Sequence, residues 1–349
     1  MLHSLKRRAV AAALILFAGT GALAACGGDS EEGGAGGAKE LKLGFFPNVT
    51  HAPALVGVDK GIFAKHLGVA PKTATFNAGP SAVEALFAKG IDATFIGPNP
   101  AINAWSQSKG QGIKIISGAA SGGAMLVVKP EIKSLEDLKG KKVATPQLGN
   151  TQDVAARSYF KSKGFTVNKD GSGDISIVPQ DNSQTIETFK QGVIDGAWVP
   201  EPHASRLVVE AGAKVLVDEK DLWPDGKFVV THLIVRTDFL KENPETVRKL
   251  VEATVESIDF INANPDEAKK SVNNQLTKLA GKPLADEVLD ASFKNITFTT
   301  DPVASSLITG AKNAEAVGLL EPVDLNGIYD LTILNEVLKA SGKAQVNAQ

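Results

Sequence analysis

The sequence predicts an α/β chain of two similar lobes, each with helices packed on a mostly parallel sheet. Three observations predict it. From residue 41 onward, short β-type runs alternate with helical stretches, the pattern of helices covering a parallel sheet. A second observation is an internal echo. Glu84-Ala-Leu-Phe-Ala-Lys-Gly-Ile-Asp92 leads through Ala-Thr-Phe-Ile-Gly into Pro98-Asn99-Pro100. Glu187-Thr-Phe-Lys-Gln-Gly-Val-Ile-Asp195 leads through Gly-Ala-Trp-Val into Pro200-Glu201-Pro202. Each reads as helix, glycine-containing turn, aspartate, buried strand, Pro-x-Pro and next helix, so the two are equivalent units of two lobes. Third, β-rich runs at 125–129 and 231–236 flank a central segment with strands of its own, so the chain crosses between lobes twice.

The chain starts with a segment that is not part of this fold. Lys6-Arg7-Arg8 is followed by an apolar run over 9–17 and by small residues leading into Leu23-Ala24-Ala25-Cys26. These are the charged, apolar and small-residue regions of an export signal. The apolar run is too short to span a bilayer permanently. Cys26 is the only cysteine among 349 residues, so it has no thiol to pair with. The pattern Leu-Ala-Ala-Cys resembles a lipobox, which implies that Cys26 becomes the acylated first residue of the mature chain. Residues 27–39 contain no large apolar side chain and are expected to form a flexible spacer.

In the globular part, strands are expected at 41–46, 73–76, 93–96 and 113–117, with helices at 52–65, 80–89 and 100–109. The central segment adds strands at 142–145, 175–178, 196–199 and 214–217. Helix starts are marked by Pro80 after Gly79, Pro244 after Asn243, Pro302 after Asp301, and Ser134-Leu-Glu-Asp137 with capping-box spacing. The simplest division puts residues 40–127 and 236–349 in lobe one and 128–235 in lobe two, with a ligand cleft between them.

Composition narrows the function. Loss of residues 1–25 removes three cations and no acid, moving the formal charge from -2 to -5. Nothing here suggests nucleic acid or a basic membrane patch. The histidines, His3, His51, His66, His203 and His232, form no zinc-type spacing, and neither a Gly-x-Ser-x-Gly elbow nor a phosphate loop occurs. No catalytic group, metal or cofactor is therefore expected.

In open α/β sheets, ligands bind beyond the carboxyl ends of the strands. Those ends supply the candidate site: Asn48, Thr50, His51, Gly79, Ser81, Pro98, Asn99, Ser121, Gly149, Asn150, Thr151, Trp198, Glu201 and His232. The segments hold Gly, Ser, Thr, Asn and Gln but no lysine or arginine, so an anion would be held by backbone N–H groups, hydroxyls and amides at helix starts. Taken singly, each polar residue reads first as a helix cap; taken as a set, they are better explained by convergence on one cleft. Glu201, or less readily Asp153, is a candidate partner for a ligand ammonium group. Trp198 and Phe46 are candidate apolar walls.

The runs beginning Leu43-Gly-Phe-Phe-Pro-Asn-Val-Thr-His51, Asn77-Ala-Gly-Pro-Ser81 and Ile91-Asp-Ala-Thr-Phe-Ile-Gly-Pro-Asn-Pro100 resemble substrate-binding lipoproteins of ABC importers of the nitrate/sulfonate/taurine type. So do Asp137-Leu-Lys-Gly-Lys-Lys-Val-Ala144, Gly149-Asn-Thr-Gln-Asp153 and Asp195-Gly-Ala-Trp-Val-Pro-Glu-Pro202. The resemblance implies a two-lobed periplasmic-binding-protein fold of type II, with two crossover strands. It also implies ligand contacts at Asn48, Ser81, Asn99, Asn150, Thr151 and Glu201. The expected ligand is a small organic anion or zwitterion, sulfonate- or taurine-like, passed by a membrane-anchored monomer to an ABC permease. The alternatives are another solute on the same fold (nitrate, a phosphonate, a pyrimidine or flavin precursor), a pyrimidine-synthase-type enzyme, or a sensing lipoprotein. Nitrate-type relatives use a basic pocket residue, which the cleft motifs lack.

Overall fold

A computed structural model describes residues 40–348; the expected export signal, Cys26 and the expected spacer lie outside the described residues. The strands are β1 Lys42–Phe45, β2 Lys72–Thr75, β3 Ala93–Ile96, β4 Ile113–Gly122, β5 Ala124–Val128, β6 Lys142–Thr145, β7 Ser176–Pro179, β8 Gly196–Pro200, β9 Lys214–Asp218, β10 Val229–Arg236 and β11 Ile296–Phe298. The first seven helices are α1 Ala52–Asp59, α2 Ile62–Leu67, α3 Gly79–Phe87, α4 Pro98–Gln107, α5 Thr151–Ser162, α6 Asn182–Lys190 and α7 His203–Ala211. Six more follow: α8 Thr237–Glu242, α9 Pro244–Ala263, α10 Pro265–Ala280, α11 Asp286–Asn295, α12 Ala304–Ala316 and α13 Thr332–Ala340. The helix expected over 52–65 is interrupted at Gly61, whose φ of 68° is left-handed and suits glycine. Among the described residues, no helix is long and apolar enough to cross a membrane.

Two sheets form. The first has the order β11-β4-β10-β3-β1-β2, the second β7-β6-β8-β5-β9. Apart from the edge strand β11, the two orders are the same when β2, β1, β3, β10 and β4 are set against β7, β6, β8, β5 and β9. The sequence echo has a structural counterpart here. β3 runs parallel to β1 and β8 parallel to β6. Asp92 lies just before β3, and its carboxylate accepts the Lys42 N–H at 2.9 Å. Asp195 lies just before β8 and accepts the Lys142 N–H at 3.0 Å. Each aspartate ties the start of a central strand to its parallel neighbour, which explains why the same residue recurs at the same place.

The crossings fall elsewhere than the sequence reading placed them. β5, which that reading kept in lobe one, pairs with β8 and β9 of the second sheet. β10, assigned to lobe two, pairs with β3 and β4 of the first. The sheets therefore exchange at Gly122-Gly123 and between Asp218 and Val229. The physical reason is the glycine corner. Gly122 and Gly123 have φ of 80° and 73°, and a Cβ on Gly123 would lie 2.4 Å from the Ile296 side chain. Only glycine turns the chain that sharply so close to β11.

The first sheet is covered by α1, α2 and α9 through Leu43, Phe45, Phe63, Phe95, Leu250 and Val251, all under 2 % exposed. In the second, Trp198 packs edge-on against Tyr159 and Phe160 of α5, with centroids 5.3 and 6.2 Å away. Truncating one such aromatic core residue costs about 3–5 kcal/mol. The consequence for function is positional. α3 and α4 follow β2 and β3, and α5 and α6 follow β6 and β7, so four helix starts lie at strand ends.

Candidate functional site

A small polar hollow of about 20 Å3 lies where carboxyl ends of strands from both sheets approach. From the first sheet come Phe46, Asn48, Thr50 and His51 after β1, Asn77 after β2, Gly97 after β3, and Val230 of β10. From the second come Asn150, Thr151 and Gln152 after β6, Asn182 after β7, and Pro200 of β8. No Lys, Arg, Asp or Glu is in this wall. The only titratable ring is His51, which burial holds down at about pH 3. Its Nδ1 accepts the Phe46 N–H at 3.2 Å, and the two rings stack 4.3 Å apart. His51 is therefore neutral, with its proton on Nε2.

The lobes touch across the hollow. The Gly79 N–H at the start of α3 donates to Asn150 Oδ1 at 3.2 Å, and Ser81 Oγ approaches Gln147 Oε1 at 3.5 Å. A Cβ on Gly97 would lie 2.3 Å from Thr151 Oγ1, so glycine is what lets β3 and α5 come this close. Thr50 Oγ1 donates to Asn48 Oδ1 at 2.7 Å, and Asn150 Nδ2 to Gln152 Oε1 at 3.1 Å. These bonds hold the amides in fixed orientation.

Two wall atoms have no protein partner. Thr151 Oγ1 and Asn182 Oδ1 are buried and make no hydrogen bond; their residues are 6 % and 7 % exposed. An unmatched buried polar group costs about 1–3 kcal/mol, and two such residues line this one hollow. Thr151 is also the first residue of α5, whose first-turn N–H groups have no acceptor within the helix. That helix start favours negative charge, by up to about 2 kcal/mol when partly buried.

Of the residues expected from the sequence, the hollow brings together Asn48, Thr50, His51, Asn150 and Thr151. Asn150 does not act as a side-chain cap of α5; its amide bridges the lobes. Gly79 and Ser81 serve the contact between lobes, and Ser81 Oγ also donates to the Ala78 carbonyl at 3.0 Å. Gly149 gives its N–H to Asp153 at 2.9 Å. Asp153 is spoken for as well, since both its oxygens accept from Arg157 Nε at 3.0 Å and one from Thr145. Ser121 pairs within the first sheet, opposite Val229 and Thr297.

Three expectations are corrected by the side-chain directions. Trp198 is fully buried in the second core, with Nε1 donating to Glu219 at 2.7 Å, so it is not a cleft wall. Glu201 is also fully buried and faces α11 and the start of α7. It accepts from Ser205 N–H and Oγ, from Asn295 Nδ2 and from Ser292 Oγ, at 2.8–3.2 Å. Burial raises the Glu201 pKa, and these four donors oppose the shift. No acceptor capacity is left facing the hollow. His232 points to the segment after β11, with Nε2 donating to the Pro302 carbonyl at 2.9 Å. Pro98 and Asn99 line an adjoining cavity, and Asn99 Nδ2 donates to the Gly310 carbonyl of α12 at 3.1 Å.

The sequence reading missed Asn182. Its signal was the one used elsewhere, since Gln180-Asp181-Asn182 follows β7 as Asn150-Thr151 follows β6. Gln152, Asn77 and Val230 also reach the wall without having been singled out.

Comparison with known proteins agrees with this architecture. The model of the NMT1-like family matches residues 34–276. The taurine-binding periplasmic protein of Escherichia coli is 29 % identical over 265 residues, covering 75 % of this chain and 79 % of that one. Among solved structures, the periplasmic nitrate-binding protein of Synechocystis superposes with a TM-score of 0.73 at 18 % identity, over 86 % of this chain and 88 % of that one. The alkanesulfonate-binding protein of Xanthomonas axonopodis pv. citri, solved with MOPS bound, gives 0.67 at 17 %, over 81 % and 94 %. The fold is that of the periplasmic binding proteins. The relatives named here are binding proteins, in line with a solute-binding rather than a catalytic role.

Proposed function

The chain belongs to the NMT1-like family, and from that premise we propose that it is the exported solute-binding lipoprotein of an ABC importer for a sulfonate-like organic anion. The observation that carries this reading is the uncharged hollow between the sheets, with Thr151 Oγ1 and Asn182 Oδ1 unpartnered in its wall. A sulfonate or similar tetrahedral anion would accept from the α5 start, the Thr151 hydroxyl and side-chain amides. The names of relatives that bind taurine and alkanesulfonates support the same class. A wall without lysine or arginine speaks against nitrate, as the sequence reading argued.

In this reading no covalent step occurs. The two sheets are joined by two short crossings, and a solute that bonds both lobes favours the arrangement in which they meet. A permease then recognises the joined lobes, while Cys26, acylated, keeps the protein at the extracytoplasmic face of the membrane. Cys26→Ser is expected to abolish incorporation of labelled lipid; unchanged labelling would remove the anchor from the reading.

A thermal-shift screen of the full chain tests the ligand class. At one hundred times Kd, a ligand adds about 2.7 kcal/mol of stability, which raises Tm by roughly 5 °C for a chain of this size. Taurine or short alkanesulfonates are expected to give that shift. A shift with nitrate, pyrimidines or flavins and none with sulfonates would overturn the class and keep the fold.

A further inference from the structure

The hollow adjoins a second cavity of similar size, about 20 Å3, and Thr151 lines both. One side of this second cavity is α5; the facing side is α12, with Gly310 and Asn313. Its far end is formed by the crossing that carries the chain from β9 back to β10, through Glu219, Trp223 and Phe228. Glu219 is 1 % exposed and has no ion-pair partner among the described residues. Its Oε2 accepts the Trp198 indole N–H at 2.7 Å, and the Trp223 indole also donates to the carboxyl. Trp223 and Phe228 stack with their centroids 5.5 Å apart.

A carboxylate this deeply buried is costly without an opposite charge. Burial pushes its pKa up to about 7, and the two indoles only partly offset that. The charged neighbours do not supply a cation. Asp218, next in the chain, raises the pKa further and holds Lys220 to itself at 2.9 Å; Tyr159, across α5, is kept neutral by burial. An acid beside aromatic rings, facing a cavity, is the chemistry that receives an alkylammonium group. A site with room for a water-sized polar group admits one.

We propose that Glu219, with Trp223 and Phe228, forms an ammonium subsite, so that the solute is a zwitterion. Its anionic end lies in the hollow at the start of α5, and its amine reaches past Thr151 to Glu219. This assignment rests on the functional reading above and specifies its ligand. It takes the amine from Glu201, whose oxygens are filled by four protein donors, and gives it to an acid that borders open space.

Titration calorimetry on the full chain, with taurine and ethanesulfonate as probes, tests it. The two share an anionic end and a two-carbon body, and only taurine carries the amine. Taurine is expected to bind the wild type about tenfold more tightly or better, the effect of one charged pairing. Glu219→Gln should remove that preference, weakening taurine by about tenfold or more and ethanesulfonate by less than about threefold. At pH 6 the carboxyl is mostly protonated when the site is free, so taurine should expel nearly one proton, measured across buffers of different ionisation enthalpy; ethanesulfonate should expel none. A merely structural acid would not give that difference. Equal affinity of the two probes, equal losses in the variant, or no proton release with taurine overturns the subsite and leaves the sulfonate class standing. Binding of neither probe overturns both. If Glu219→Gln does not fold, the wild-type comparison and proton count decide alone.

Discussion

Replacing Thr151 by valine separates a hydroxyl kept for a ligand from one kept for the fold. Thr151 opens α5, is 6 % exposed, and its Oγ1 finds no protein partner. Valine has the same branched shape and similar helix propensity, so it fills the same space without the polar atom. A buried hydroxyl without a partner costs about 1–3 kcal/mol. Removing it is therefore expected to leave stability unchanged or raise it by about 1 kcal/mol, the lower end of that range. Binding should respond in the opposite sense. A hydrogen bond from this hydroxyl to a charged ligand group is worth about 1.5–3 kcal/mol, which is about 10- to 150-fold in Kd. Thermal unfolding of the free protein and calorimetric titration with taurine read the two quantities separately. A variant that melts several degrees lower with unchanged affinity would show that Oγ1 serves the fold, and the reasoning from unpartnered atoms would fail.

Other expected outcomes follow from the same geometry. Gly97→Ala places a methyl 2.3 Å from Thr151 Oγ1, so the lobes must separate there at a cost of about 1–3 kcal/mol; unchanged ligand affinity would show that the contact is not needed for binding. Glu201→Gln turns one carboxyl oxygen, which accepts two of the four bonds, into an amide donor and should lower stability by about 1–3 kcal/mol. It should shift taurine and ethanesulfonate affinity equally, and a selective loss of taurine would restore Glu201 as the amine partner. Glu219 keeps its proton up to about pH 7 in the fold, against an ordinary value of 4.5. Its contribution is thus fully present below pH 4.5 and lost as pH rises through 7, by at most about 3 kcal/mol. Denaturant unfolding at several pH values should show the wild type losing stability over that window relative to Glu219→Gln, and a constant difference would count against the buried acid.

Much of this was legible before any coordinates. β-type runs located the strands to within a few residues, and the echo identified equivalent aspartates, Asp92 and Asp195, that make the same strand-end bond. The rule that ligands gather at strand ends picked out Asn48, Thr50, His51, Asn150 and Thr151. It failed for Trp198, and for Glu201 just past the same strand, because every residue of β8 is buried. A strand covered on both faces carries no alternation to show which side chains look toward a cleft. The crossings were misplaced for a related reason. β5 and β10 each pair antiparallel with strands that other stretches of chain supply, and such long-range pairing leaves little local trace.

The sequence by itself determined the order of elements, the doubled architecture, and a set of polar strand ends without a cation. Those are properties of local patterning and composition. Only the tertiary structure decided what each buried acid meets. Glu201 finds four donors, two of them on α11 over ninety residues away. Glu219 finds only indoles and a cavity. Both are glutamates just beyond a strand of the second sheet. Whether a buried charge is answered depends on what distant segments bring to it, and that exists only once the chain has folded.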